Sequence, residues 1–211
     1  MIDIFWPNDR GINLKQIPNL YEHLKKFRLI LEGRNENANG LDKAIAKGLY
    51  YFGSVRRKLD FSLPKIVSPQ RSKTNTFGYN ETEWFASADV YYITDSSLKQ
   101  NLKFILGLLN SKLYYLWLSR RGKVKGPMLE LYQKPLTEIP IYECSESIQN
   151  KISSLVDKIV NLKREEKNTQ KMESEIDNIV YRLYDLSYDE VKVVDPEFRL
   201  TEMEYSRIIL E

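Results

Sequence analysis

The sequence predicts an α+β protein, with a mixed small sheet packed on a central buried helix, followed by a helical C-terminal region of hairpin or coiled-coil type. Three observations carry that assignment. Residues 65–71 and 83–94 have the β-branched and aromatic texture of strands. Residues 98–117 read as one helix that is apolar on nearly every face and so belongs at the centre of a domain. Ile148, Ile152, Leu155, Ile159 and Leu162 then repeat at 4-3-4-3 spacing, the seam of a paired helix. With 211 residues, 42% of them apolar, and only 9 Gly and 8 Pro, the chain can bury a real core. Collagen-like, mucin-like and low-complexity classes are excluded.

Taken in order, Pro18 opens a helical pattern in which Leu20, Leu24, Phe27 and Leu31 recur at 4-3-4 spacing, with Gly33 just past its end. Residues 34–63 show no sustained period beyond a possible helical turn near Leu41–Leu49. Between the two strand segments lies the polar, turn-forming run Ser72 to Thr82. The central helix shows Leu102, Ile105, Leu106, Leu109, Leu113, Leu116 and Trp117 on one wide face and Phe104, Leu108 and Tyr115 on the other. A basic loop, Ser119 to Gly126, leads into a strand near Met128, and residues 135–143 read as a further short extended segment. Met172, Ile176, Ile179, Leu183 and Leu186 resume the C-terminal seam after a polar interval. Polar residues at two successive seam positions there favour a helical hairpin over one long helix. The change of texture divides the chain into a 1–145 α+β domain and a 146–211 helical spacer or docking region.

Cys144 stands alone and His23 is the single histidine, which argues for a reducing compartment and against a structural metal. The first residues carry Asp3 where a signal peptide needs a basic region, and no apolar run approaches the ~18 residues that span a bilayer. A cytoplasmic protein, or a piece of one, is the expectation. The net charge of +3 hides a polarity. Residues 1–142 hold 22 Lys+Arg against 13 Asp+Glu, whereas 143–211 hold 10 against 16. The first part, at +9, calls for an anionic partner.

No Gly-rich nucleotide turn, nucleophile elbow or metal-ligand cluster is present in the sequence, so catalysis by this chain is not expected. Glu165, Glu166 and Lys167 read as a salt-bridged surface, His23 as a helix surface residue and Cys144 as a small, partly buried side chain. The informative groups are basic and polar. Gln70, Arg71, Ser72, Lys73 and Asn75 combine the side chains that read base edges, since Arg pairs with guanine and Gln or Asn with adenine. Arg120, Arg121, Lys123 and Lys125 make a compact phosphate-binding cluster, and Arg56, Arg57 and Lys58 make a third. Trp84, Phe85, Tyr91 and Tyr92 fit sheet core better than a base-stacking platform.

The succession KIVSPQRSKTNTFGYN, EWFASADVYYIT, LKFILGLLNSKLYYLWL and GKVKGPMLELYQKPLTEIPI resembles the TaqI-like C-terminal specificity domain of adenine-specific DNA methyltransferases, among them the type IIG enzymes that fuse restriction and modification in one chain. The run EIDNIVYRLYDLSYDEVKVV is similar to the closing segment of such enzymes. The resemblance implies a target recognition domain that holds double-stranded DNA against an upstream methyltransferase domain or subunit, where adenine is flipped out and methylated. The family's Asn/Asp-Pro-Pro-Tyr/Phe motif and methyl-donor site lie upstream of this module and are not in this sequence. S-adenosylmethionine, and Mg2+ for cleavage, are therefore expected on the missing catalytic domains and no cofactor on this chain. By the same resemblance the segment after KIVSPQR faces DNA, while residues 40–63 depart from the longer, Trp-rich segment of relatives. The rival reading is a scaffold that docks on a partner through its C-terminal helices. On the first reading, deleting 147–211 should harm assembly or solubility before base choice.

Overall fold

The computed structural model describes residues 18–26, 61–86, 89–94, 100–131 and 133–210. The chain forms two compact units, Met1–Asp60 and Phe61–Glu211. In the first, the helix expected after Pro18 is present as α1 (Pro18–Lys25), with His23 exposed on it. Its expected continuation to Leu31, the turn near Leu41–Leu49, and Arg56, Arg57 and Lys58 lie outside the described residues.

The second unit is α+β, and its strand-bearing part is organised by one extended segment. Strand β1 (Lys65–Pro69) pairs antiparallel with both β3 (Gly78–Asn80) and β4 (Val90–Thr94), so that Ile66 sits in register with Tyr79 on one side and Ile93 on the other. After Gln70 the same segment continues as β2 (Arg71–Ser72) and joins a different sheet, ordered β2-β6-β5, with β5 at Lys123–Lys125 and β6 at Met128–Glu130. Gln70 is the hinge between the sheets: its N–H donates to the Asp89 carbonyl (2.9 Å) and its carbonyl accepts from Leu131 N–H (2.8 Å). Where β1 begins, Lys65 is fully buried. Its Nζ donates to the carbonyls of Phe61, Leu63 and Thr82 at 2.8–2.9 Å, which replace the water its charge would otherwise need.

Four expected elements differ from what forms. The strand expected over 83–94 is confined to Val90–Thr94. Trp84 and Phe85 instead fold back into an aromatic cluster, with Phe61–Phe85 ring centroids 4.8 Å apart and Trp84–Tyr92 at 6.2 Å. The single central helix is two, α2 (Leu102–Asn110) and α3 (Lys112–Arg121). Ser111, extended at φ −71° and ψ 158°, accepts from Tyr114 N–H as the cap of α3 and donates to the Leu108 carbonyl, which closes α2. The basic loop is divided: Ser119–Arg121 complete α3 and Lys123–Lys125 form β5, turned into β6 at Gly126–Pro127, where Gly126 takes the left-handed φ of +61°. The segment from Pro135 is helical up to Glu138, in α4 (Gln133–Glu138). Pro135 stands in the first turn, where a missing N–H leaves no intrahelical bond unmade.

The expected C-terminal hairpin is present. Helix α5 (Glu146–Arg164) turns through residues 165–169 into α6 (Gln170–Leu183), followed by α7 (Tyr188–Val194) and α8 (Glu202–Ser206). Ile148, Ile152 and Leu155 of the seam are buried, as are Ile176, Ile179 and Leu183. Glu165, Glu166 and Lys167 are exposed in the turn, with Lys167 paired to Glu165 at 2.6 Å. Helix α2 packs against both β1 and β3 and, on another side, against α5. The α2–α5 contact is close enough that a Cβ added at Gly107 would lie 2.5 Å from Ile152 Cγ2. The boundary expected at 145/146 therefore falls inside one compact unit, whose hydrophobic core runs continuously from Ile66 to Ile179. Tyr181, Val191, Phe198 and Tyr205 make a second, smaller core beneath α7 and α8.

Candidate nucleic-acid interface

Two of the three basic clusters singled out in the sequence, some fifty positions apart, meet on the β2-β6-β5 sheet. Arg71 is the register partner of Glu130, and Glu130 is in turn the partner of Lys123. Ser72, Leu129 and Val124 form the neighbouring row. Leu129 is buried towards the core, so the alternation of side chains along β6 sends Glu130 to the opposite face. There Glu130 is covered, and Arg71 Nε lies 3.4 Å from its Oε1 while the Arg71 side chain stays 54% exposed. A buried carboxylate placed between two basic register positions fixes where the Arg71 guanidinium stands. Arg120 and Arg121 are exposed in the last turn of α3, directly before the strand that carries Lys123 and Lys125.

The other part of the interface is the short connection from β2 to β3. Ser72 Oγ and Thr76 Oγ1 are 2.7 Å apart and close its neck. Lys73 and Thr74 are exposed at its tip. Asn75 turns inward, its Nδ2 donating to the carbonyls of Leu109 (2.6 Å) and Ser111 (2.9 Å) at the α2–α3 junction. From that junction Asn110 answers: its Oδ1 accepts from Phe77 N–H and its Nδ2 donates to the Phe77 carbonyl, both at 3.0 Å. Both amide protons of Asn75 are thus engaged within the protein, and the residue expected to read a base edge is part of the scaffold of its loop.

Of the expected contacts, then, Gln70 holds the inter-sheet hinge through its backbone; Arg71, Ser72 and Lys73 lie along β2 and the tip; Lys123 and Lys125 lie on β5, the other edge strand of that sheet; and Arg120 and Arg121 lie at the end of α3. Sequence reasoning missed Glu130 and Asn110. Glu130 had a weak signal, an acidic residue alternating with Met128 and Leu129 in a short strand pattern. Asn110 had none, because its partner Phe77 is 33 residues away.

The helical half carries a different electrostatic feature. Asp177 of α6 accepts the Lys112 N–H at the start of α3 (2.9 Å), and Lys112 Nζ reaches Asp195 Oδ2 at 2.7 Å. Burial pushes the Asp177 carboxyl up to about 6 from its ordinary 3.8, against the pull of the Lys112 N–H and ammonium. Burial likewise raises the Tyr114 phenol, which donates to the Pro140 carbonyl at 2.7 Å, and the half-buried Cys144 thiol. Among the described residues no helix is long and apolar enough to cross a membrane.

The chain is 25% identical over 174 residues to the type II methyltransferase M.MjaIV of Methanocaldococcus jannaschii, a match covering 82% of this chain and 57% of that protein. It is 35% identical over 68 residues to the type II methyltransferase M.HincII of Haemophilus influenzae, covering 32% of this chain and 13% of the relative. The chain thus spans little more than half of one such relative and a small part of the other. Among solved structures, the type IIL restriction-modification enzyme MmeI in complex with DNA shares the fold at a TM-score of 0.62 and 14% identity, over 95% of this chain and 27% of that enzyme. The sequence pattern of the TaqI-like C-terminal specificity domain matches residues 21–141. With more than half its length so matched, the chain belongs to the family of TaqI-like C-terminal specificity domains.

Proposed function

We propose that this chain is the target recognition module of a restriction-modification enzyme, selecting a short duplex DNA sequence and holding it for adenine methylation, and in a type IIG enzyme also cleavage, by a separate upstream catalytic domain. The observation that carries this reading is the convergence of two basic segments on the β2-β6-β5 sheet. Arg120, Arg121, Lys123 and Lys125 supply sequence-independent phosphate contacts. Arg71 and the Lys73–Thr74 tip enter the major groove and supply discrimination. The chain alone would neither methylate nor cut. S-adenosylmethionine, and Mg2+ where cleavage occurs, belong to the catalytic domains, and the assembly works in the cytoplasm.

The test is selection from a random-sequence duplex library by the purified chain at about 50 and 200 mM salt, a span over which phosphate-driven affinity falls steeply. Enrichment of one short motif that persists at the higher salt is the expected result. In the enriched duplex, Arg71→Ala should flatten preference at one or two positions. Retention without any motif, or no retention, would overturn target recognition by this chain and leave the scaffold reading standing.

A further inference from the structure

Asn75 and Asn110 make four hydrogen bonds to main-chain groups of each other's segments, all between 2.6 and 3.0 Å. Four well-made bonds between a short polar connection and a helix junction are more than packing requires. Phe77 is buried and already anchors the β3 end of the connection, and β2 pairing anchors the other end. What the Asn pair adds is conformational. It fixes the path of residues 73–76 relative to α2 and α3, while the Ser72–Thr76 hydroxyl contact closes the neck. Lys73 and Thr74 are left exposed at the tip. The junction is suited to this: Ser111 ends α2 and starts α3 with its own hydroxyl, so the Leu109 carbonyl lies at the end of α2, where it accepts from Asn75, while the Ser111 carbonyl accepts both from Asn75 and from the Tyr115 N–H that opens the α3 ladder (3.0 Å).

From this geometry we infer that Asn75 and Asn110 are positioning residues for DNA discrimination: they hold the 72–76 connection in one shape, so that Arg71 and the Lys73–Thr74 tip meet base edges without an ordering cost on binding. The inference rests on the DNA-recognition reading above and gives that surface its internal mechanism. A loop ordered in advance loses little entropy on docking, and an unordered one loses most where geometry is strictest, at base edges rather than at phosphates.

The experiment uses the full chain and two probes, the duplex enriched from the random library and a scrambled duplex of the same composition. Asn75→Ala and Asn110→Ala should each lower the ratio of the two affinities about tenfold, while binding to the scrambled duplex stays within about twofold. If both act through one loop shape, the double substitution should lose little more than the worse single one. Additive losses would mean two separate DNA contacts and would overturn the clamp. An unchanged ratio with a lowered melting temperature would overturn it too, since the pair would then serve stability alone. Should Asn110→Ala fail to fold, Thr76→Val, which removes the exposed hydroxyl contacts to Ser72 and Thr74, replaces it and should lower the same ratio. Failure of the wild-type chain to enrich any motif is read before any variant is made and sinks the recognition reading itself.

Discussion

The strand-bearing half of the Phe61–Glu211 unit and its helical half draw on near and distant polar partners in different proportion. In residues 146–210 the partners are mostly near neighbours. Ser187 with Glu190 and Thr201 with Glu204 close reciprocal boxes at the starts of α7 and α8, and Thr169 holds Glu173 at 2.8 Å. In residues 61–131 local bonds such as Ser72 with Thr76 and Ser111 with Leu108 are joined by bonds between positions far apart in sequence: Lys65 with Thr82, Asn75 with Leu109, Asn110 with Phe77, Arg71 with Glu130. Local bonds make a robust scaffold whose surface can vary freely. Distant ones fix the shape of a particular surface, and that is where the basic residues converge.

The largest expected effect breaks the comparison outright. From sequence alone the helical region is a spacer or docking region whose loss harms assembly or solubility before base choice. In the fold, Ile152, Val156 and Ile176 cover Gly107 on the central helix, and the core is continuous across both halves. Truncation after Cys144 should therefore abolish cooperative unfolding of the remainder, seen as loss of a calorimetric transition. A truncated chain that still melted cooperatively would restore the two-domain division at 145/146. A milder probe of the same joint is Gly107→Val. Its Cβ would stand 2.5 Å from Ile152 Cγ2, and overpacking of that kind should cost about 3 kcal/mol in denaturant unfolding.

These contacts also explain what was and was not legible in the sequence. The α5–α6 hairpin could be read because its signal, a seam repeating every three or four residues, is local and long. The break at Ser111 could not, because the apolar pattern runs straight through it and the residues that exploit the break, Asn75 and Phe77, come from another segment. The β2-β6-β5 sheet was equally hidden, since strands of two or three residues carry no usable alternation and Arg71 meets Glu130 only through tertiary pairing. The residue types of the interface were visible beforehand. Their convergence was not, nor was the inward turn of Asn75.

Within the helical half, Asp177→Asn should sharpen the contrast between fold-holding and partner-facing groups. The folded carboxyl titrates at about 6, against an ordinary 3.8, so the folded state binds the proton more tightly than the unfolded state. Stability from this group is therefore present below pH ~4 and is lost as pH rises through ~6. Asparagine keeps the oxygen that accepts the Lys112 N–H and removes the buried charge. The substitution should raise stability by about 1–2 kcal/mol at neutral pH, and the gain should vanish near pH 4. Thermal melts across that range check it. A variant destabilised at neutral pH would mean that the Lys112 interactions outweigh burial and the like charge of Asp195.

The smallest effect sharpens the comparison most finely. Lys123 on β5 and Lys171 on α6 are both single cations, and the overall charge lost on replacing either with alanine is the same. If DNA affinity followed net charge alone, the two variants would be equally weakened. Counterion release makes a local prediction instead: a lysine that neutralises one phosphate contributes about 0.9 to the slope of log affinity against log salt, and one that faces solvent contributes nothing. Lys123→Ala should thus reduce the slope by about one and weaken every duplex alike, leaving the enriched motif unchanged. Lys171→Ala should leave slope and motif both intact. Equal slopes in the two variants would place the DNA on neither half in particular, and the division between a scaffold of near neighbours and a surface built by distant partners would lose its functional meaning.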